Sequence, residues 1–192
     1  MRIIAGKYKN RKIETKNKNF QTTDLRPTLG KTREAIFAVL EYSKWFDHNL
    51  ALGATVLDLC CGSGSFGIEA ISRGADRVTF VDNNNYHLKI ARHNIKKFSE
   101  EERSDFVCCD AAKFTSTTQY DIIYIDAPYH INITDQILNN IAKENILKNM
   151  GIVLVELSKK VALPVPDFFK TLDERRYGTT KVTFLKKDSD KN

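Results

Sequence analysis

From Ala54 onward, short apolar runs alternate with segments whose apolar residues recur every three or four positions. Residues 55–59, 77–82, 106–108, 120–125 and 151–156 are nearly continuous in Val, Ile, Leu, Phe and Tyr. Such runs predict strands of a parallel sheet buried on both faces. Between them, residues 66–72, 86–98 and 134–148 read as amphipathic helices. In the second, Leu88, Ala91, Ile95 and Phe98 form one stripe; in the third, Ile137, Leu138 and Ile141 face inward. Two last runs, 169–175 and 181–185, are joined at Gly178 and predict an antiparallel hairpin. The order predicts an α/β fold: a seven-stranded, mostly parallel sheet with helices on both faces and a C-terminal antiparallel hairpin.

Before residue 54 the pattern differs. Residues 2–5 and 12–15 are short strand-like runs around the turn 6–11, which predicts a β-hairpin, and a polar loop over 16–23 follows. Pro27 and Gly30 then break the chain before a helix over 31–42, with Ile36, Phe37 and Leu40 on one face and Trp45 in the core beyond it. The expected division is an N-terminal extension over 1–30, one domain over 31–187, and a loose tail over 188–192. The 192 residues suffice for one core of ordinary size. No apolar run approaches the ~18 residues of a membrane span. The opening Met1-Arg2-Ile3-Ile4-Ala5-Gly6-Lys7 is basic without an apolar block, so a cytoplasmic location is expected.

Charge sharpens this division. The net charge is +6, yet residues 1–33 hold ten Lys/Arg against Glu14 and Asp24, and the remaining 159 residues carry a net −2. An excess confined to one segment suits a polyanion, most simply nucleic acid, although a solvated Lys-rich tail has the same composition. Cysteine adds little: Cys60-Cys61 and Cys108-Cys109 are adjacent pairs without a Cys-x-x-Cys spacing, and no metal site is expected.

The chemistry concentrates at strand ends. Asp58 lies in the first strand, which runs into the turn Cys60-Cys61-Gly62-Ser63-Gly64-Ser65-Phe66-Gly67. Glycines at that spacing let the backbone bend sharply and approach a nucleotide, which makes Cys60, Gly62, Ser63, Gly64, Phe66 and Gly67 candidate cofactor contacts. Asp82 ends the second strand twenty residues after Gly62, where an acid meets ribose hydroxyls, with Asn83 beside it. Asp110, followed by Ala111, ends the third strand; its carboxylate can accept from an adenine amino group or simply cap the next helical turn. The glycine spacing alone fits an NAD-binding protein as well. Asp58 favours S-adenosylmethionine, because a carboxylate there would attract a sulfonium and an ammonium and gain nothing from a pyrophosphate.

The fourth strand ends in Asp126-Ala127-Pro128-Tyr129. This resembles the Asp/Asn-Pro-Pro-aromatic motif of amino-group methyltransferases. An exocyclic amine conjugated to a ring has a delocalised lone pair, and Asp126 with a nearby backbone carbonyl could hold its two hydrogens and aim that pair at a methyl group. Tyr129 could stack on a base withdrawn from its helix. A strand-ending Asp, a proline turn and a partly buried tyrosine account for the same residues.

Wider stretches resemble the bacterial 16S ribosomal RNA guanine-N2 methyltransferase family. They are Arg2-Ile3-Ile4-Ala5-Gly6-Lys7, Leu25-Arg26-Pro27-Thr28, Thr32-Arg33-Glu34, Leu57-Asp58-Leu59-Cys60-Cys61-Gly62-Ser63-Gly64, Gly67-Ile68-Glu69-Ala70 and Ser72-Arg73-Gly74-Ala75. The resemblance implies a Rossmann-like class I methyltransferase fold, S-adenosylmethionine as cofactor, no metal, and methylation of one guanine amine in small-subunit ribosomal RNA. It assigns Asp58, the 62–67 turn, Asp82 and Asp110 to the cofactor, and Asp126, Pro128 and Tyr129 to the acceptor. The departures are Ala127 for the family's first proline, Asp82 for its usual Glu and Lys31 for its common Arg. Ala127 frees one φ angle in the acceptor loop.

The expectation is therefore a monomeric RNA methyltransferase acting on RNA within a small-subunit particle, with Arg2, Lys7, Lys9, Arg11, Lys12, Arg26 and Arg33 on RNA phosphates. An adenine-N6 or protein-amide methyltransferase, an NAD-dependent oxidoreductase and a catalytically weak RNA-binding assembly factor are the alternatives. His48, His87, His93 and His130 show no ligand spacing.

Overall fold

Seven strands form one sheet: β1 (Thr55–Leu59), β2 (Arg77–Asp82), β3 (Ser104–Cys108), β4 (Tyr120–Ile125), β5 (Leu147–Ser158), β6 (Phe169–Tyr177) and β7 (Thr180–Lys187). Their order is β3-β2-β1-β4-β5-β7-β6. The first five pair in parallel, and β7 runs antiparallel to both β5 and β6. The computed structural model describes residues 1–15, 30–43, 53–127 and 133–188. Arg26, Pro27, Trp45, His48, Pro128, Tyr129, His130 and the tail 189–192 lie outside the described residues. No helix among the described residues is long and apolar enough to cross a membrane.

Alternation along each strand divides the core in two. Val56, Val78, Phe80, Ile122, Tyr124 and Leu154 face α1 (Gly30–Tyr42), α2 (Ser65–Ser72) and α3 (Asn85–Lys96). Leu57, Leu59, Val81, Ile123, Ile125 and Val153 face α4 (Thr134–Lys143) and the turn at Ala111–Lys113. Both faces are dry, which is why these strands read as unbroken apolar runs. From β1 the chain winds outward to β2 and β3, then returns to β4 on the other flank. The carboxyl ends of β1 and β4 thus face the crevice where a doubly wound sheet binds its ligands.

One helix boundary departs from the pattern. Residues 144–148 were expected in the helix of 134–148, but α4 stops at Lys143 and β5 begins at Leu147. Asn145 has φ 50°, a left-handed conformation that ends a helix. The Tyr120 N–H then bonds the Ile146 carbonyl at 2.8 Å, and Lys148 pairs with Asp121 at 2.8 Å. Ile146 and Leu147 are apolar enough to serve either element, and pairing with the start of β4 takes them into the sheet.

The N-terminal hairpin is part of the first core. Arg2 bridges antiparallel to Lys12, and Ile3, Tyr8 and Ile13 are buried among the helices of that face. Gly6 has φ +78°, and a Cβ there would lie 1.8 Å from the Ser72 carbonyl oxygen at the end of α2. Only glycine lets the hairpin turn lie so close. The main anchor is the Glu69 carboxylate, which is 0% exposed. It accepts the Ile4 and Ala5 N–H groups at 2.9 and 3.0 Å and Arg73 Nε at 2.9 Å, and it pairs with Arg33 Nε at 3.4 Å. Arg33 Nη2 in turn donates to the Arg2 carbonyl at 2.6 Å.

Removing one partner of a buried pair leaves the other charge uncompensated, at a cost of about 3–5 kcal/mol. Glu69→Ala is expected to lower unfolding free energy by that amount in a urea titration followed by circular dichroism. A loss below about 1 kcal/mol would show that Glu69 does not anchor the hairpin.

Candidate active site

The loop after β1 is wound by left-handed residues. Cys60, Gly62 and Gly64 have φ of 58°, 54° and 75°. Two of them are glycine, and Cys60 bears the ordinary steric cost of a Cβ in that region. Two carboxylates brace the coil from opposite sides. Asp58 Oδ2 accepts the Gly67 N–H at 3.0 Å in the first turn of α2, and Asp82 Oδ2 accepts the Gly62 N–H at 2.9 Å. Asp82 Oδ1 also accepts the Asn84 N–H at 2.9 Å and lies 3.1 Å from His87 Nδ1.

A third brace reaches the hairpin. The fully buried Asn94 of α3 donates to the Ser63 carbonyl at 3.1 Å and to the Glu14 carbonyl at 2.8 Å. Its Oδ1 accepts the Glu14 N–H at 2.8 Å.

The strand ends bring together the four acids singled out in the sequence. The Cys60 thiol is pushed up to about 12 by burial, with repulsion from Asp82, Asp126, Asp58 and Asp110 adding to it. One side chain at the mouth of β1 therefore senses carboxylates from four strand ends. A thiol so held stays protonated near neutral pH and is no nucleophile. Burial likewise pushes Asp58 well above the usual carboxylate range, opposed by the Gly67 N–H and reinforced by Asp126 and Asp82. This anionic surround fits a cationic ligand, whose charge would relieve repulsion among the acids.

Several expected contacts sit elsewhere. Asp58 is 1% exposed and holds α2, so the fold uses it to brace the loop rather than to face a ligand. Phe66, expected at the cofactor, is core: it stacks on Tyr124 with ring centroids 3.9 Å apart and on Phe37 at 5.0 Å. Gly67 serves helix–sheet packing, since a Cβ there would lie 2.4 Å from Phe80 Cε1. Arg33, expected on RNA, is 1% exposed and paired with Glu69. Asp110 Oδ1 caps the following turn by accepting the Ala112 N–H at 3.0 Å, and Ala111 is buried. Asn83 is exposed beside Asp82. Asp126 is half-buried at the end of β4 and Ala127 is buried. Pro128 and Tyr129 lie outside the described residues.

Two groups escaped the sequence reading. Glu156, at the end of β5, is 3% exposed and accepts the Tyr124 hydroxyl at 2.6 Å. Burial raises its carboxyl to about 8, Asp126 adds to the rise, and the Tyr124 hydroxyl opposes it. His87 against Asp82 is the other. The available signal for Glu156 was an acid closing an otherwise apolar run, the same signal that marked Asp82.

Comparison with known proteins bears on the family and the fold. A family model described as conserved hypothetical protein 95 matches residues 1–186. A putative rRNA methyltransferase of Bacillus subtilis, YlbH, is 32% identical over 194 residues, covering 97% of this chain and 99% of its own. The ribosomal RNA small subunit methyltransferase D of Buchnera aphidicola is 33% identical over 168 residues, covering 85% and 81%. Among solved structures, a putative methyltransferase of Escherichia coli, yhhF, superposes with a TM-score of 0.83 over 98% of each chain at 22% identity, a likeness of fold.

The raised Glu156 carboxyl has a consequence for stability. Its folded pKa lies above the ordinary value of 4.5, so its contribution is complete in acid and is lost as pH rises toward about 8. Glu156→Gln keeps an acceptor for Tyr124 and removes that dependence. In urea titrations the variant is expected to gain roughly 1–3 kcal/mol over the parent at pH 8 and little at pH 5. Parallel pH profiles for the two proteins would contradict a neutral Glu156.

Proposed function

Because the chain belongs to the family described as conserved hypothetical protein 95, we propose that it methylates the exocyclic N2 amine of a guanine in small-subunit ribosomal RNA, with S-adenosylmethionine as methyl donor. The observation that carries this reading is the convergence of Asp58, Asp82, Asp110 and Asp126 around Cys60 at the carboxyl edge of β1–β4. The relatives named as rRNA methyltransferases, one for the small subunit, support RNA as the substrate. The guanine amine rests on the resemblance of the acceptor motif.

The site fits the cofactor on its own terms. When bound, S-adenosylmethionine supplies an electrophilic methyl group on a sulfonium. Gly62 leaves the loop without a side chain at a left-handed position, with its N–H held by Asp82, while Gly64, expected at the cofactor, makes room for Phe80 and Ala91 behind the loop. By the resemblance, Asp82 would hold the ribose hydroxyls and Asp110 would lie beside the adenine. Because an attractive field of several carboxylates favours the positive donor over the neutral product, the same acids would assist product release.

On the acceptor side, Asp126 would accept a hydrogen bond from the guanine amine and fix its lone pair toward the methyl group. It would also favour loss of the proton that the nitrogen carries after transfer. Tyr129 would stack on the base. Attack would run directly from nitrogen to methyl, displacing the neutral thioether, with no enzyme-bound intermediate. Ala127, buried between Asp126 and Pro128, would hold the backbone by packing where a proline ring would hold it by torsion.

The test is transfer of radiolabelled methyl to small-subunit RNA, offered free and as the particle, from cells lacking this protein. After digestion to nucleosides, label is expected on N2-methylguanosine. Label on adenine, on protein or on nothing would overturn the assignment. Asp126→Ala is expected to slow turnover by about 100-fold or more while leaving cofactor affinity within a few-fold.

A further inference from the structure

Residues 1–33 hold the whole of the net positive charge, but the fold adds a second set of cations to the hairpin's. Helix α3 contains Lys89, Arg92 and Lys96 and no Asp or Glu. Lys89, Arg92, His93 and Lys96 stand at i, i+3, i+4 and i+7, and all four are exposed, whereas Leu88, Ala91 and Ile95 on the opposite side are buried. They therefore form one outward stripe, rising about 10 Å along the helix.

The stripe is flanked by the hairpin on one side and by β3 on the other. Arg11 lies over the Phe98 ring at 4.6 Å and donates to the Lys97 carbonyl, while Arg92 lies over the Phe106 ring at 4.3 Å. Two acids near this face are held in ion pairs. Glu14 pairs with Lys97 and His93, and Glu100 with Lys7 and Arg103. Lys9 and Lys12 are exposed on the hairpin beside it.

Position gives the stripe its meaning. Helix α3 starts after Asp82, at the carboxyl edge that carries the candidate site, and it ends against Tyr8 and Arg11 of the hairpin. In a parallel sheet its C-terminus lies at the opposite edge. Arg11 stands beside the end of α3 at Phe98, while Glu14 joins the ligand loop through Asn94 and Ser63. A phosphate chain reaching from Arg11 to the ligand loop needs support between them, and the α3 stripe lies along that path.

We infer that the outer face of α3, through Lys89, Arg92 and Lys96, is an RNA-backbone track joining the hairpin's cations to the acceptor site. This rests on the reading of the chain as an RNA methyltransferase. It assigns the track to phosphates, whose contacts with Lys and Arg fix register and orientation and carry no sequence information. It also makes the substrate a structured RNA long enough to cover both edges at once.

The test measures affinity for a full-length small-subunit RNA transcript against salt concentration, with cofactor affinity followed in parallel. Lys89→Ala/Lys96→Ala is expected to reduce the slope of log affinity against log salt by roughly 1.5, about 0.7–0.9 per lost phosphate contact. Affinity near 0.1 M salt is expected to fall at least tenfold, with cofactor affinity and thermal midpoint unchanged. Lys143→Glu/Lys170→Glu, on α4 and β6, serves as a charge control and is expected to leave the slope alone. If the α3 variant keeps the parent slope and affinity while the parent methylates RNA, the track is wrong and the functional reading stands. An equal loss from the control pair overturns the track in favour of general charge. If the parent neither binds nor methylates the RNA, both readings fall.

Discussion

A carboxylate with no access to water must find every one of its partners inside the protein, and Glu69 is in that position. Its partners are the N–H groups of the hairpin backbone, Arg73 at the end of α2, and the charge of Arg33 on α1. None of these segments is adjacent in sequence to the other two, so the pair and its hydrogen bonds set where they meet. With α2 fixed in this way, its first turn meets Asp58 and the loop after β1 takes its coil. The geometry of the ligand edge thus depends on an ion pair on α2's far side from it.

Much of the fold was legible from periodicity. Strands buried on both faces leave unbroken apolar runs, and β1, β2 and β4 have the bounds the pattern predicts. The end of α4 was not, because Ile146 and Leu147 suit helix or strand alike and the choice belongs to their pairing with β4 at Tyr120. The acids at the strand ends were legible as a set. Their roles were not, since sequence marks a carboxylate's position in a strand but not which N–H groups will reach it. Asp58 and Gly67 show this: a motif that reads as two ligand contacts is in the structure one hydrogen bond between them.

Arginine posed the opposite difficulty. Arg33 counts in sequence with the other cations of residues 1–33, and only tertiary contacts separate it from them. Lys89, Arg92 and Lys96 were hidden by the averaging of charge over the remaining chain, where acids on other faces cancel them. Net charge by segment is a one-dimensional sum, and a surface follows helical spacing instead.

The seating of Gly6 against the end of α2 bears on how this chain can be divided. An appendage that binds a polyanion is commonly treated as a module, removable or transferable without injury to the body that carries it. Here the same fifteen residues that present the cations also donate to Glu69, fill the first core with Ile3, Tyr8 and Ile13, and meet the ligand loop through Asn94. A truncated chain would lose its body along with its arm, and a graft of the arm would carry nothing to hold its shape. In this fold, modularity begins at single exposed side chains and not at any cut in the backbone.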